Sequence, residues 1–265
     1  MQSQTNKKLS KPEQCFEKFW TTFKDNYAFF KLKGVNWDST YIKFRPAITK
    51  KTSEKELILV FEQMVEPLKD DHIMILKGEE ILYTVKKPSY FKQEFKGIRK
   101  EFWQTVNKTL QDNYFTEVKG VGAVFNGENL YYTSQNSEVG YIRITRCFSG
   151  FESIFDEKKE DDDTKLMLKQ LDSLLVLLST KKALIIDIRA NGGGHGGIEL
   201  ASRFAREKVL THYKAIKLKG NYETFTPLEP NYIEPNNGVR YLKTVTILTN
   251  DKTASSAEDF AISLY

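Results

Sequence analysis

The stretch Val245-Thr-Ile-Leu-Thr-Asn-Asp-Lys-Thr-Ala-Ser-Ser-Ala-Glu-Asp-Phe260 combines a strand, a turn and the start of a helix. Residues 245–248 are apolar and mostly β-branched, which predicts a short buried strand. The polar residues 249–252 suit a turn, and the small and acidic residues that follow are typical of a helix start capped by Thr253 or Ser255. A strand that turns directly into a helix is a building unit of α/β domains.

A serine at this corner can be either a plain helix cap or a nucleophile. Ser255 would stand clear of the sheet, the amide of Ser256 would point to where an oxyanion forms, and the helix N-terminus would add positive potential. On this stretch alone the cap is the better interpretation, since Ser and Thr are common at helix starts. A second segment, residues 183–197, changes the balance.

That segment, Ala183-Leu-Ile-Ile-Asp-Ile-Arg-Ala-Asn-Gly-Gly-Gly-His-Gly-Gly197, places a glycine-rich loop after a short apolar strand. It can be a phosphate-binding loop, a loop whose bare N–H groups face a substrate carbonyl, or a flexible turn. The phosphate-binding patterns fit poorly. The Walker motif ends in Gly-Lys-Ser/Thr, and the dinucleotide fingerprint needs an acidic residue about 20 positions further on.

The composition is that of an ordinary globular chain. Its 265 residues are 40% hydrophobic, and 40 basic against 35 acidic residues give a net charge of +5. This suits one large domain or two small ones, and no basic block argues for a nucleic acid partner. Two cysteines, Cys15 and Cys147, and three histidines, His72, His195 and His212, show no metal-binding spacing. No apolar run is long enough to span a membrane, and the first residues lack the core of a signal peptide.

The predicted elements divide the chain into a helical lobe and an α/β core. Residues 1–11 are polar and are predicted to be a disordered tail. Residues 12–70 are predicted to hold three helices, one with a core-facing aromatic stripe and one opened by the capping box Ser53-Glu-Lys-Glu56. Residues 71–265 are predicted to hold a hairpin around Asn126-Gly127, followed by alternating strands and helices.

Apolar periodicity predicts further elements of the core. These are a helix over 89–113, a strand over 139–145, a helix over 164–179, a helix over 198–206 and a long loop over 228–238.

Three segments resemble motifs of the tail-specific, or C-terminal processing, serine peptidases. Asp187-Ile-Arg-Ala-Asn-Gly-Gly-Gly194 resembles their Asp-Leu-Arg-Asn-Asn-Pro-Gly-Gly element. Thr253-Ala-Ser-Ser-Ala-Glu-Asp-Phe260 resembles their Thr-Ala-Ser-Ala-Ser-Glu-Ile-Phe nucleophile segment. Asp70-Asp-His-Ile73 and the helical opening of the chain resemble the branch akin to the tricorn protease core. The resemblance covers residues 12–265.

This resemblance implies an α/β fold: a crotonase-like, or ClpP-like, core of short sheets and helices, preceded by the helical N-terminal lobe. It implies that Ser255 is the nucleophile, His72 its general base, and the amides of Gly193 or Gly194 and of Ser256 the oxyanion donors. Such chemistry needs no metal and no cofactor. The implied substrate is an extended or unstructured polypeptide cut near its C-terminus. The implied compartment is the cell envelope, the periplasm or the outside of the cell.

The sequence also departs from the family pattern. Gly192 stands where proline is usual, Asp259 stands where an apolar residue is usual, and residues 77–138 show no recognisable PDZ-like segment. In the family a later acidic residue or lysine completes the catalytic set. We therefore expect the peptidase core to be truncated at Tyr265 and the 265-residue chain to be slow or inactive alone.

Two other functions stay open at this point. Some relatives of this fold bind retinoids without hydrolysing peptides, so the chain could bind a peptide or an apolar ligand in the same cleft without catalysis. An acyl-CoA-type enzyme of the crotonase fold would also use glycine-loop amides, but its chemistry needs no serine nucleophile. A fluorophosphonate probe separates hydrolysis from binding, because it labels an active serine and leaves an inert cap unlabelled.

Overall fold

A computed structural model describes residues 8–78 and 80–265. Its contacts form two compact units. Unit 1 runs to Pro88 and includes Lys214–Glu229, and unit 2 contains Ser89–Tyr213 and Pro230–Tyr265. Most of the predicted tail 1–11 lies outside the described residues, and the predicted domain bounds stay predictions. Within the described residues, no helix is both long and apolar enough to cross a membrane.

Unit 1 is mainly helical. Its elements are α1 (Lys11–Asn26), α2 (Phe30–Lys33), α3 (Trp37–Phe44), α4 (Glu54–Val65) and the antiparallel strands β1 (Met74–Lys77) and β2 (Glu80–Thr84). The capping box predicted at the start of α4 is present. The Ser53 amide donates to Glu56 Oε2 at 2.8 Å, and the Glu56 amide donates to Ser53 Oγ at 3.3 Å.

Aromatic side chains form the core of unit 1, as the stripe on the first helix predicts. Phe16, Phe30 and Trp37 are buried, and the rings of Phe19 and Phe61 stack at 3.8 Å between centroids. Such large rings bury much apolar area for few residues, which stabilises a small helical unit.

Unit 2 is a mixed α/β unit. Its elements are α5 (Tyr90–Glu94), α6 (Arg99–Asp112), β3 (Lys119–Phe125), β4 (Glu128–Gln135), β5 (Val139–Ile144), α7 (Glu157–Leu177), β6 (Ala183–Asp187), α8 (Gly197–Ala201), β7 (Val209–Lys214), β8 (Glu229–Ile233), β9 (Thr244–Leu248) and α9 (Ser256–Leu264). The main sheet has the order β3-β4-β5-β6-β9, and β7 pairs with β8 in a separate two-stranded sheet. Only the end residues Lys214 and Glu229 of that small sheet belong to unit 1.

The parallel part of the main sheet positions the loops that matter for function. β5, β6 and β9 are parallel, and in their register Arg143 lies beside Asp187 and Asp187 beside Leu248. The carboxyl ends of parallel strands meet at one edge of a sheet, where ligands commonly bind. The segments that follow Ile144, Asp187 and Leu248 therefore leave the sheet side by side.

Several predicted elements were wrong in extent. The helix predicted over 164–179 is α7, which begins at Glu157. The helix predicted over 89–113 is two helices, because the chain breaks around Gly97, whose φ of 78° suits glycine. The loop predicted over 228–238 contains β8, where Pro230 is tolerated because the strand has only one partner. The helix predicted over 198–206 is the short α8. The hairpin at Asn126-Gly127 is confirmed, with positive φ at both turn residues.

Candidate active site

The serine corner has the predicted order of strand, turn and helix. β9 ends at Leu248, Ser255 is the N-cap residue, and α9 begins at Ser256. The amide of Ser255 donates to Glu258 Oε2 at 2.7 Å, and the amide of Glu258 donates to the Ser255 carbonyl at 2.7 Å. These bonds fix the start of the helix and leave Ser255 at its tip.

Ser255 has a strained backbone and an exposed side chain. Its φ is 55° and its ψ is −130°, a combination that residues other than glycine rarely adopt. Such strain costs about 1–3 kcal/mol and is found mainly at functional sites. A strained serine between a strand and a helix has the geometry of a nucleophile elbow, which a plain helix cap does not require.

The glycine loop lies directly against this corner. A Cβ atom at Gly193 would be 2.7 Å from the Ala254 carbonyl oxygen and 2.8 Å from Ser255 Cβ, and one at Gly194 would overlap the backbone of Cys147. Both glycines also have positive φ, 93° and 147°. Only glycine allows the two backbones to approach so closely in these conformations.

The backbone amides of the loop differ in what they bind. The Gly193 amide donates to Asn191 Oδ1 at 2.8 Å, so its proton is already used. Among the hydrogen bonds of the described residues, the amides of Gly194 and Ser256 have no acceptor. The sequence left Gly193 and Gly194 as alternative donors, and the bond to Asn191 favours Gly194.

Asn191 connects the loop to its surroundings and was not identified from the sequence. Its side chain is fully buried, and Nδ2 donates to the Ile144 carbonyl at 3.1 Å while Oδ1 accepts from Gly193. Its own carbonyl accepts from the Ala254 amide at 3.1 Å. One residue therefore joins the end of β5, the glycine loop and the serine corner. Its place beside the glycines was visible in the sequence, but the inward direction of its side chain was not.

A second asparagine, Asn250, connects the same two segments. Its Oδ1 accepts from the Ala190 amide at 2.9 Å, and its amide donates to Thr253 Oγ1 at 3.1 Å. The Thr253 hydroxyl in turn donates to the Ile188 carbonyl at 3.0 Å. The turn after β9 is thus held against the turn after β6.

The buried hydroxyl of Ser256 holds the far end of the glycine loop. It donates to the His195 carbonyl at 2.9 Å and accepts from the Gly197 amide at 2.7 Å. The sequence assigned a role only to the backbone amide of Ser256. Its side chain proves to be a structural part of the same site.

His195 anchors the glycine loop through its ring. Its Nε2 lies 2.9 Å from Ser153 Oγ and 3.2 Å from Asp163 Oδ2, and its Nδ1 lies 3.0 Å from Thr164 Oγ1. Asp163 also accepts the Ser149 amide at 2.7 Å. The loop is therefore fixed to helix α7, and both nitrogens of the ring are engaged.

Cys147 lies beside the loop but is not suited to be a nucleophile. Burial raises the pKa of its thiol to about 12, so the thiol stays protonated at neutral pH. Its amide donates to the Gly193 carbonyl at 2.9 Å, and its carbonyl accepts from the His195 amide at 3.0 Å. Cys147 therefore supports the loop through its backbone.

His72 lies in unit 1, where Asp70 orients its ring. The Nδ1 atom is 3.0 Å from Asp70 Oδ1, and the other carboxylate oxygen of Asp70 accepts from the Tyr27 hydroxyl at 2.9 Å. Burial alone would raise the pKa of Asp70, but hydrogen bonds from His72 and Tyr27 outweigh it and lower that pKa. An ionised Asp70 favours the proton on Nδ1, which leaves Nε2 as a base.

The structure thus brings Ser255, Ser256, Gly193 and Gly194 together within unit 2. His72 belongs to unit 1 with an exposed side chain, and its pairing with Ser255 stays a prediction.

Within the described residues, one group of side chains lies close enough together to hold a metal ion, and His72 belongs to it. Ligand atoms of Asp70, Asp71 and His72 lie within 4.8 Å of one another. Acidic surface groups often lie this close without an ion, and the expectation that no metal is needed stays a prediction.

Replacing Gly197 with alanine should destabilise the site. A Cβ atom there would overlap the Ser256 backbone carbonyl, whereas one at Gly192 would meet no atom within 4 Å. We expect Gly197→Ala to lower the melting temperature by several degrees and Gly192→Ala to change it little. Thermal unfolding followed by circular dichroism compares the two. Equal melting temperatures would contradict the close packing of α8 on α9.

Replacing Ser256 with alanine should also cost stability, because the buried Gly197 amide would lose one of its two acceptors and the His195 carbonyl would lose the hydroxyl that donates to it. The expected loss is about 1–3 kcal/mol in the free energy of unfolding. Ser263 is a matched control on the same helix, since its buried hydroxyl has no hydrogen-bond partner within the described residues. Ser263→Ala should be neutral or stabilising in urea unfolding. A Ser256→Ala variant as stable as Ser263→Ala would show that the hydroxyl does not hold the loop.

Two family models match the chain. The tricorn protease C1 domain matches residues 10–66, and peptidase family S41 matches residues 138–264. No curated protein matches it.

Solved structures with a similar fold also match the chain. A candidate peptidase from Parabacteroides merdae is 25% identical over 96% of this chain and 72% of that chain, with a TM-score of 0.69. Mature CPAF is 12% identical over 96% of this chain and 81% of that chain, with a TM-score of 0.59. At that identity the likeness to CPAF supports the fold alone.

Proposed function

We propose that this chain, whose residues 138–264 match peptidase family S41 and whose residues 10–66 match the tricorn protease C1 domain, hydrolyses peptide bonds in extended or unstructured polypeptides with Ser255 as the nucleophile. The observation that carries this proposal is the strained, exposed Ser255 beside two backbone amides, of Gly194 and Ser256, that lack an acceptor among the described residues. The crotonase-like arrangement of the core and cleavage near the C-terminus are parts of the proposal that rest on the family resemblance.

In the proposed reaction the serine, the histidine and the two backbone amides each have one role. Ser255 Oγ attacks the scissile carbonyl carbon while His72 Nε2 takes the hydroxyl proton. The carbonyl oxygen becomes an oxyanion, which accepts hydrogen bonds from the amides of Gly194 and Ser256. His72 then gives the proton to the leaving amine, and the acyl group stays bound to Ser255. A water molecule, deprotonated by His72, attacks this acyl-enzyme, and the acid product leaves as Ser255 regains its proton. Asp70 would stabilise the imidazolium formed in between.

The rigid surroundings of the two amides favour this use. Donors that are fixed before the reaction need no rearrangement when charge develops, and this preorganisation is usually the largest part of catalysis. Gly194 is fixed between Cys147 and His195, and Ser256 is fixed by its hydroxyl. The start of α9 adds positive potential at the same place.

Substitution of Ser255 tests the nucleophile and the strain together. Ser255→Ala and Ser255→Gly should both abolish turnover of an unstructured peptide and labelling by a fluorophosphonate in the complete protein. Glycine adopts a φ of 55° without strain, so Ser255→Gly should melt at a higher temperature than Ser255→Ala. Ser263→Ala is the active control. Fluorophosphonate labelling or turnover that survives either substitution would disprove the assignment.

Substitution of His72 tests the proposed base. His72→Gln should lower kcat about 10²–10⁴-fold, because the serine hydroxyl would lose its proton acceptor. His212→Gln is a control in unit 2, where the ring lies beside Thr211 and Asp259. Steady-state kinetics on an unstructured peptide compare the two variants with the unsubstituted protein. Equal, small effects of both substitutions would show that His72 is not the base for Ser255.

A second function is favoured by an apolar cavity of about 310 Å³ between helix α6 and the main sheet. Phe102, Val106, Leu110, Ile185 and Leu248 line it. A protein that binds an apolar ligand here without hydrolysis would bind a fluorescent fatty acid, lose that binding on Val106→Trp, and resist fluorophosphonate labelling. Labelling of Ser255 would decide for the peptidase.

A further inference from the structure

A second, larger pocket in unit 2 is strongly cationic. It has a volume of about 660 Å³ and lies between helix α6, the β3–β4 turn and the residues after β5. Arg99, Lys100, Arg143 and Arg146 line it, and Glu128 is its one acidic lining residue. Four cations and one carboxylate leave three positive charges in excess.

Aromatic rings hold two of these cations in place. The guanidinium of Arg143 lies 3.3 Å from the ring centroid of Trp103 and 5.0 Å from that of Tyr132. Both Arg143 and Arg146 are more than nine-tenths buried. Stacked guanidinium groups lose little freedom when they bind a ligand, so these arginine side chains are already positioned to bind an anion.

The hydrogen bonds inside the pocket do not neutralise its charge. Glu128 Oε1 accepts from Arg143, and its Oε2 lies 3.4 Å from Arg99. Arg146 donates mainly to backbone carbonyls, among them that of Ala123 at 2.7 Å, and these carry no net charge. The Nε atoms of Arg143 and Arg146 are buried without a partner among the described residues, and Lys100 forms no ion pair there.

The pocket adjoins the glycine loop. Phe148 lines the pocket, and a Cβ atom placed on Gly194 would lie 2.9 Å from Phe148 Cδ1. A Cβ atom placed on Gly193, the neighbour of Gly194, would lie 2.8 Å from Ser255 Cβ. One side chain therefore separates the pocket from the loop that lies against the serine. An extended chain advances about 3.3–3.6 Å per residue, so a group one or a few residues from a bond held at Ser255 would reach the pocket.

We propose that this pocket is a subsite for a carboxylate of the polypeptide substrate, an inference that rests on the proposed peptidase function. The carboxylate is either the side chain of an acidic residue close to the scissile bond or the free C-terminal group. Arg99 and Lys100 at the rim would meet it first, and Arg143 would lie behind them. Guanidinium groups bind carboxylates through paired hydrogen bonds, which a neutral amide in the same position cannot replace.

The test measures binding to the Ser255→Ala protein, so it does not depend on turnover. Peptides of one sequence carry glutamate or glutamine at successive positions, and each is made with a free or an amidated C-terminus. We expect loss of the responsible carboxylate to raise the dissociation constant about tenfold, equivalent to about 1.4 kcal/mol. A response to glutamine identifies a side chain, and a response to amidation identifies the C-terminus.

Variants of the pocket confirm where the carboxylate binds. Arg99→Gln and Lys100→Gln should each reduce this discrimination at low salt. Lys108→Gln is the matched control, since Lys108 lies on the same helix, outside the pocket, and pairs with Asp112. Equal reductions by all three substitutions would overturn the assignment, because they would show only a general effect of net charge.

The outcomes separate this inference from the proposed function. Equal dissociation constants for all peptides, or no binding of any, would overturn the carboxylate subsite. If the unsubstituted protein nevertheless hydrolysed the neutral peptides, the peptidase function would stand without it. Tenfold discrimination in binding with no hydrolysis by the unsubstituted, complete protein would instead support the subsite and reject the peptidase.

Discussion

The buried side chain of Asn191 fixes the position of the glycine loop relative to the serine corner. A buried carboxamide is costly unless its donor and acceptor are paired, and this one is paired with the Ile144 carbonyl and the Gly193 amide. Its main-chain carbonyl binds Ala254, so the same residue determines where both sides of the site lie. A displacement of either segment would leave a buried polar atom unpaired, and this restricts the loop to one arrangement.

This network explains how a strained conformation at Ser255 is maintained. The strain favours relaxation of the turn, but Asn250 and Thr253 hold the residues before it, and the Ser256 hydroxyl holds the residue after it. Each bond contributes about 0.5–1.5 kcal/mol, so several of them outweigh a strain of about 1–3 kcal/mol. A helix cap with no further role would not need such support, since a cap residue normally adopts relaxed, extended backbone angles.

Local patterns in the sequence predicted what depends on neighbouring residues. The hairpin at Asn126-Gly127, the capping box at Ser53 and the strand, turn and helix over 245–260 are all present. The role of the Ser256 hydroxyl could not be predicted, because its donor is the Gly197 amide, 59 positions earlier in the chain. Which polar side chains turn inward depends on segments that meet only after folding, and the same is true of the ring of His195.

The segment after β5 relates the serine site to the cationic pocket. Cys147 turns inward and holds the glycine loop through its backbone, while Arg146 and Phe148 on either side of it line the pocket. In extended backbone, successive side chains point to opposite sides, so one short segment can serve both purposes. A shift of this segment by one residue would put Cys147 in the pocket and a charged or aromatic side chain in the core. The register of this one segment therefore positions both the loop proposed to bind the oxyanion and the pocket residues proposed to bind a substrate carboxylate. A shift in register would displace both.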